Sequence, residues 1–249
     1  MKALMATEVL KLRTTRSAFV ALGVVMLITV VLPVFRVLAA GSGDLGPLRA
    51  QDLAELLRAP VPLAGGAVLL IGLLAGAGEF RHHTVLTTRL AEPRSGRVLA
   101  AKLMTMGILG LVVGVAIGLV TLAESAVVFS QEGVAFEPAT RGVVQVALVA
   151  PLILALHGLF GVAIGSLLRN TAAAVGATLV WAFVVEGIIP LVTRSPETVN
   201  WLPTGLVKEI LQAQTPAGQL GPLAAAGVLL AYGVALVGST VVLDRRREL

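Results

Sequence analysis

The stretch from Leu103 to Val128, LMTMGILGLVVGVAIGLVTLAESAVV, decides the fold. Its residues are almost all apolar, and Glu124 is the only one that carries a charge. A helix needs about 20 mostly apolar residues to cross the hydrocarbon core of a bilayer. The stretch is therefore predicted to be a membrane-spanning helix.

The rest of the chain repeats this pattern. Hydrophobic residues make up 57% of it and charged residues 13%, and the alternation of polar and apolar residues that marks barrel strands is absent. The other five apolar runs are Ser17 to Ala40, Val61 to Gly78, Gly142 to Leu168, Thr171 to Thr193 and Leu220 to Leu243. The predicted fold is an all-α integral membrane bundle of six spans, forming one domain over residues 1–249. The apolar core of the first run is longer than that of a signal peptide, so this run is expected to remain in the mature chain.

The basic residues predict the orientation of the bundle. Most of the 19 Lys and Arg residues fall within 1–16, 81–102 and 245–247, and an excess of Lys and Arg marks cytoplasmic segments. Both termini are therefore predicted to lie in the cytoplasm. This topology explains the basic balance of the chain, and no basic soluble domain is present that would bind nucleic acid.

The first sixteen residues are predicted to form an interfacial helix on the inner leaflet. Met5, Val9 and Leu12 recur at helical spacing, with charged residues around them. The alternative is a frayed basic tail that only sets the topology.

Motifs for catalysis and nucleotide binding are missing from the sequence. It contains no GxxxxGK[ST] phosphate loop, HExxH pair or GxSxG elbow, and it has no cysteine. We therefore do not expect the chain to be an enzyme, or to bind a metal or a cofactor itself.

Four ionisable residues fall inside the predicted spans, where such groups are costly and are functional candidates by default. Arg36, Glu124 and Glu186 share the outer third of the membrane. We expect Arg36 to pair with Glu124 or with Glu186, the alternative being a role in handling substrate. His157 lies in the inner half of the fourth span, and we expect it to be an interhelical hydrogen-bond partner.

Gly78 to Lys102 is a charged segment between two apolar runs. Arg81 to Ala91 is predicted to form a short helix with Val85, Leu86 and Leu90 as an apolar strip, and Pro93 ends it. A solvated loop has no need of such a strip. The alternative is a basic loop that rests on anionic lipid.

The connection from Arg194 to Gln219 lies on the predicted outer side. Its prolines divide it, and Trp201-Leu202-Pro203 is apolar where water should reach. Because Trp prefers the membrane interface, this segment is predicted to dip into the outer leaflet as short helices. Within the spans, glycine stripes are predicted to be packing faces; they comprise Gly72 and Gly76, Gly110, Gly114 and Gly118, and Gly161 and Gly165.

These features resemble the ABC-2 type permease family, the transmembrane subunits of bacterial ABC exporters. The resemblance covers nearly the whole chain and rests on pattern and position. It is carried by six spans with both ends inside, by Glu8, Lys11 and Arg16 in the N-terminal stretch, by Glu79, Thr84, Leu86, Pro93, Arg97 and Lys102 in order, and by Leu202-Pro203 after the fifth span. Such permeases commonly have Gly next to the position of Thr84, where this chain has His83, which leaves the roles of His82 and His83 open.

The resemblance implies a location in the bacterial plasma membrane and a separate ABC ATPase subunit that binds ATP and Mg²⁺. A coupling helix would contact that subunit; its residues would be Glu79, Arg81, His82, His83, Thr84, Val85, Leu86, Arg89, Leu90 and Arg97. A second permease chain, identical or not, would complete the transporter. Trp181, Phe183 and Glu186 would lie near a hydrophobic or amphipathic substrate, such as a drug or an antibiotic, and Trp201, Leu202 and Pro203 would form an outer gate.

Two other functions remain open from the residues alone. In a secondary transporter, Glu124, Glu186 and His157 would titrate with an ion gradient, but broken helices in paired halves are expected there. In an intramembrane enzyme the catalytic groups must converge at one depth, whereas His157 and the two glutamates fall in opposite halves of the bilayer.

Overall fold

The computed structural model describes residues 1–41, 48–81, 90, 92, 94–212 and 220–246, with the side chains of 36–41, 81, 196, 245 and 246 also excepted. All regular structure in these residues is helical, as the sequence predicts. The α-helices are Lys2–Thr14, Arg16–Gly41, Asp52–Arg58, Val61–Arg81, Ser95–Gln131, Arg141–Leu168, Thr171–Val180, Glu186–Thr193, Pro203–Leu211 and Pro222–Arg246. A π-helical turn, Trp181–Val185, and a 3₁₀ turn, Pro196–Trp201, complete the set.

Six helical segments are long and apolar enough to cross a membrane within the described part of the chain. Each overlaps one of the six predicted runs, and they are called the first to the sixth span below. The multi-pass membrane architecture predicted from composition is therefore confirmed. The bundle has two ends: the terminal end holds residues 1–16 and the last turn of the sixth span, and the opposite end holds Gln131 and Arg141.

The fourth span is the centre of the bundle. It packs most extensively against the second and third spans and also contacts the sixth. Glycines allow this close approach, because a Cβ added to Gly161 would lie 2.2 Å from the Leu69 carbonyl oxygen, and one added to Gly110 would lie 2.4 Å from that of Leu154. Without a hydrophobic drive between helices in lipid, such backbone contact is the main source of packing energy.

The glycine stripes are only partly packing faces. Gly72, Gly76, Gly110, Gly114, Gly161 and Gly165 all lie against a neighbouring backbone. Gly118 has no atom within 4 Å of an added Cβ, so the prediction is wrong there. Gly118 instead lines a small cavity with Leu57, Val61 and Ala147, and spacing along one helix does not report where such a gap falls.

The third span begins earlier than predicted. Its helix starts at Ser95 and has 37 residues, which gives a length of about 55 Å, well above the ~30 Å hydrocarbon core. Arg97 and Lys102 therefore belong to a continuous helix and do not lie in a connecting loop.

The fourth and fifth spans are joined by a two-residue turn, as predicted. Arg169 adopts a left-handed conformation (φ 51°), and the Asn170 side chain accepts a hydrogen bond from the backbone N–H of Ala173 at 3.1 Å. This cap satisfies one of the free donors at the helix start. The fifth span then runs through the π-helical turn to Thr193.

Two short helical segments follow the fifth span, as predicted for this connection. We call Pro196–Leu211 the hairpin; it consists of the 3₁₀ turn and the helix Pro203–Leu211. Most of that helix is buried, and it packs against the sixth and fourth spans.

The N-terminal helix, Lys2–Thr14, is separated from the first span by one extended residue, Thr15. Val9, which was predicted to lie on the inner leaflet, is exposed, and the residue that this helix buries against the protein is Glu8. The reason is electrostatic: Glu8 pairs with Lys11 of its own helix and with Lys102 of the third span.

Candidate functional site

Four charged side chains form a cluster at the terminal end of the bundle: Glu8, Lys11, Glu79 and Lys102. The Lys102 ammonium group lies 2.9 Å from Glu79 Oε1 and 3.4 Å from Glu8 Oε2, and it also donates to the Ala75 carbonyl oxygen at 2.9 Å. Only 6% of the Lys102 side chain is exposed. The Lys102 ammonium therefore has its donors taken up inside the protein, as a buried cation requires.

Lys11 completes the cluster from the N-terminal helix. Its ammonium group lies 2.6 Å from Glu8 Oε1 and 2.6 Å from Glu79 Oε1. Partial burial disfavours the charged ammonium, but hydrogen bonds to Glu79 and Glu8 and their negative charges outweigh it and raise the pKa of Lys11. The two lysines and the two glutamates together give the cluster no net charge.

The charge cluster joins three separate parts of the chain. Glu8 and Lys11 come from the N-terminal helix, Glu79 from the end of the second span and Lys102 from the beginning of the third. The second and third spans are the two limbs that enclose residues 82–93. A force applied to that segment would therefore reach both spans and the N-terminal helix together.

A second ion pair lies nearby at the terminal end. Arg169 donates to Asp244 Oδ1 at 2.7 Å, and its guanidinium carbon lies 5.0 Å from the centre of the Phe80 ring. The turn after the fourth span is thereby tied to the sixth and second spans. An open cavity of about 60 Å³ lies between Phe80, Asp244 and Lys102.

At the opposite half of the bundle, Glu186 is the centre of a polar group. Trp181 Nε1–H donates to Glu186 Oε1 at 3.0 Å, and the backbone N–H of Thr204 donates to Oε2 at 3.3 Å. The Thr204 hydroxyl also donates to Oε2. The π-helical turn brings Trp181 and Glu186 together, because residues five apart are aligned where hydrogen bonds run i to i+5.

The hairpin is held by two further spans. Gln145 of the fourth span donates to the carbonyl oxygens of Ile210 at 3.0 Å and Gln212 at 2.9 Å. Tyr232 of the sixth span donates its hydroxyl to the Trp201 carbonyl oxygen at 3.0 Å. These bonds tie the backbone at both ends of the helix Pro203–Leu211 to the fourth and sixth spans.

Most residues of the predicted coupling helix lie outside the described residues: His82, His83, Thr84, Val85, Leu86, Arg89 and the side chain of Arg81. Leu90 is described, is helical and is 84% exposed. Glu79 belongs to the charge cluster, and Arg97 forms a 3.7 Å ion pair with Glu92. The structure therefore describes residues on either side of the predicted helix, and most of the predicted helix itself lies outside the described residues.

The residues predicted to line a substrate path differ in exposure, and Trp181 is 46% exposed. Glu186 is 7% exposed and bonded to Trp181, whereas Phe183 is 79% exposed on the fifth span. The predicted pairing of Arg36 involves a side chain outside the described residues. Within the described residues, Glu124 Oε2 is buried and has no hydrogen-bond partner.

The residues of the predicted outer gate belong to the hairpin. Trp201 ends its 3₁₀ turn and is 51% exposed, while Leu202 and Pro203 are half-buried.

His157 was expected to bond to a neighbouring helix. Its Nδ1–H instead donates to the Ile153 carbonyl oxygen of the same helix at 2.8 Å, and its ring packs over Gly65 of the second span. The absence of a side chain at Gly65 leaves the space that the imidazole fills.

Several functional candidates were missed from the sequence. Thr204, Gln145 and Tyr232 look like ordinary polar residues of apolar segments, and no spacing rule connects them to the hairpin. Lys102 and Glu8 were named among the residues that carry the family resemblance, but no contact between them was predicted. Their pairing across 94 positions is not encoded in any local pattern.

Comparison with known proteins found no family model that matches the chain and no curated protein that matches its sequence.

Proposed function

We propose that this chain is the membrane-spanning subunit of an ATP-driven transporter of the ABC-2 type. In this proposal the terminal end faces the cytoplasm of a bacterium, and a separate ABC ATPase binds the segment 82–93. The transported compound is hydrophobic or amphipathic, and it moves outward.

The charge cluster is the observation that carries this proposal. A subunit without a phosphate loop has to receive mechanical work from elsewhere, and the connection must be stiff. Glu79 and Lys102 hold the two limbs of the segment 82–93 together at 2.9 Å, and Lys11 adds the N-terminal helix. Movement of this segment is then transmitted to three helices at once.

The fifth span supports the second part of the proposal, a partner permease chain. Only Ala174 and Glu186 of its residues are buried. Most of its other residues are exposed in the described chain, which is unusual for a span that contains a buried carboxyl group. We assign the exposed face around Phe183 to the contact with a second permease chain and to the substrate path between them.

The ATPase contact is tested by replacing Leu86 with Asp. The tagged chain is purified from membranes of its own host, and co-purifying P-loop ATPases are identified by mass spectrometry. We expect the wild-type chain to recover one such ATPase, and Leu86→Asp to lose most of it, because a charge in an apolar contact is poorly tolerated.

Leu223→Asp is the matched control. Leu223 is 91% exposed at the start of the sixth span, at the opposite end of the bundle, and this variant should keep the ATPase. Recovery of the ATPase with Leu86→Asp would contradict the contact. A wild-type chain that recovers no ATPase would contradict the proposed function as a whole.

Within the described residues, Glu124 Oε2 is buried without a hydrogen-bond partner, which favours one competing function, a transporter driven by an ion gradient. The chain reconstituted alone in vesicles distinguishes the two. Substrate flux that follows an imposed proton gradient without nucleotide would support the competing function and exclude ours.

A further inference from the structure

We propose that Glu186 is a latch that fastens the fifth span to the embedded tip of the hairpin, and that its release lets the fifth span separate from the fourth and sixth spans. The latch itself follows from contacts within the chain. Its use as an outer gate for substrate rests on the proposed function.

The tip of the hairpin is the point where the 3₁₀ turn, which ends at Trp201, meets the helix that begins at Pro203. This tip lies deep in the bundle. Tyr232, which bonds to the Trp201 carbonyl oxygen, is ten residues beyond the first residue of the sixth span. At 1.5 Å of rise per residue, this places the tip about 15 Å below the start of that span. Gln145, which bonds at the other end of the hairpin, is four residues into the fourth span, or about 6 Å below its start.

The helix Pro203–Leu211 therefore points its N-terminus toward the middle of the membrane. Free backbone N–H groups at such a depth must find partners within the protein. Leu202 stands at the capping position and supplies no side-chain acceptor. The Glu186 carboxyl group takes that role from another helix, since it accepts from both the backbone and the hydroxyl of Thr204.

The other contacts of the hairpin lead to different spans. Gln145 ties it to the fourth span and Tyr232 to the sixth. On the fifth span, Glu186 provides the buried polar tie, and the remaining hydroxyl contact, between Thr193 and Thr198, is exposed. If the hydrogen bonds between Glu186 and Thr204 break, the hairpin remains bonded to the fourth and sixth spans.

The fifth span is built to move in this way. Its residues are mostly exposed, so few packing contacts oppose its displacement. The π-helical turn stands directly before Glu186, and such turns are frequent at functional sites. A gap between Glu186 and Thr204 would open a passage between the fifth span and the hairpin. This passage would run from the exposed surface at Trp181 to the side of the membrane that the hairpin covers.

The absence of native cysteine allows a direct test. Leu202→Cys is introduced as the only thiol, and the full chain is placed in lipid nanodiscs, where both faces are open to solvent. A charged maleimide that does not enter lipid reports how often residue 202 reaches water. We expect slow labelling in the otherwise unchanged chain.

Glu186→Gln and Thr204→Val are then added separately. Each should accelerate labelling roughly tenfold, because each weakens the partly buried hydrogen bonds that join Glu186 to Thr204. Thr178→Val is the matched control, since that hydroxyl donates to Ala174 within the fifth span and does not touch the hairpin. Its labelling rate should not change.

Two results would overturn the inference. Equal labelling rates in the parent, Glu186→Gln and Thr204→Val would show that the carboxyl group does not hold the tip. Rapid labelling of the parent would show that the tip is not embedded. If Glu186→Gln does not yield monodisperse protein, Thr204→Val decides, because it leaves the carboxyl group in place. Neither nucleotide nor an ATPase is needed, so the result is independent of the proposed function.

Discussion

Lys102 and Lys11 contact the same two glutamates, yet they differ in how far each depends on them. The Lys102 side chain is 6% exposed, whereas that of Lys11 is 41% exposed. Lys11 can exchange its protein partners for water, and Lys102 cannot. The stability of the charge cluster therefore depends mainly on Lys102.

Lys102→Met should destabilise the chain substantially. It leaves Glu8 and Glu79 together with Lys11 alone, and removing one member of a buried ion pair costs on the order of 3 kcal/mol. The measurement is thermal unfolding of the purified chain in detergent. A variant as stable as the wild type would show that water already screens the cluster.

Arg97→Gln is the control for that substitution. It also removes a cation at the beginning of the third span, but its ion pair with Glu92 is 3.7 Å long and Arg97 is 53% exposed. Exposed pairs contribute about 0–1 kcal/mol, so little change is expected.

Contacts between individual side chains were the hardest feature of this molecule to predict from the sequence. The sequence indicated that Glu186 matters, because a carboxyl group within a span is costly. It could not indicate Thr204 as the partner, since that contact depends on how deep the hairpin reaches. The pairing of Glu8 with Lys102 likewise depends on the angle at which the N-terminal helix leaves the first span.

Among the helical elements, the contact between the second and fourth spans is the tightest. Gly161→Ala should loosen it, because the new Cβ would lie 2.2 Å from the Leu69 carbonyl oxygen and 2.9 Å from the Cα of Gly72. Both atoms belong to backbone and cannot rotate away. We expect a lower unfolding temperature in detergent and a larger fraction of aggregated protein on size exclusion.

Gly118→Ala is the matched substitution in the third span. An added Cβ there meets no atom within 4 Å, so stability should be unchanged or slightly higher, as for glycine to alanine in an open helix. Equal losses from Gly161→Ala and Gly118→Ala would mean that close approach is not what holds these spans.

Helices as elements were predicted well, and so were the ends of the fourth and fifth spans, but the beginning of the third span was not. Apolar length decides whether a segment can cross a membrane, and length can be counted. The third span extends back to Ser95 because its first turns pack against the N-terminal helix, and no local signal reports this. The same holds for Gly118, whose spacing matches Gly110 and Gly114 but whose surroundings are open.

The orientation of the whole molecule is the next testable property. Thr7 lies at the terminal end and Gln131 at the opposite end, and both are exposed. The test uses bacterial cells whose outer layers have been removed but whose plasma membrane is intact. A charged maleimide should label Gln131→Cys, and it should spare Thr7→Cys until the plasma membrane is permeabilised. The reverse pattern would place the terminal end outside and exclude a cytoplasmic ATPase contact.

The central position of the fourth span also has a consequence for biosynthesis. The second span leaves the ribosome with Gly72 and Gly76 exposed, and their partners Gly161 and Gly165 are not yet made. At about 5–20 residues per second, roughly 5 to 20 seconds pass before they emerge. During that interval the insertion machinery or surrounding lipid has to shield an unfinished helix–helix contact, and a transcript cut short after the third span leaves a product that the cell's quality control should remove.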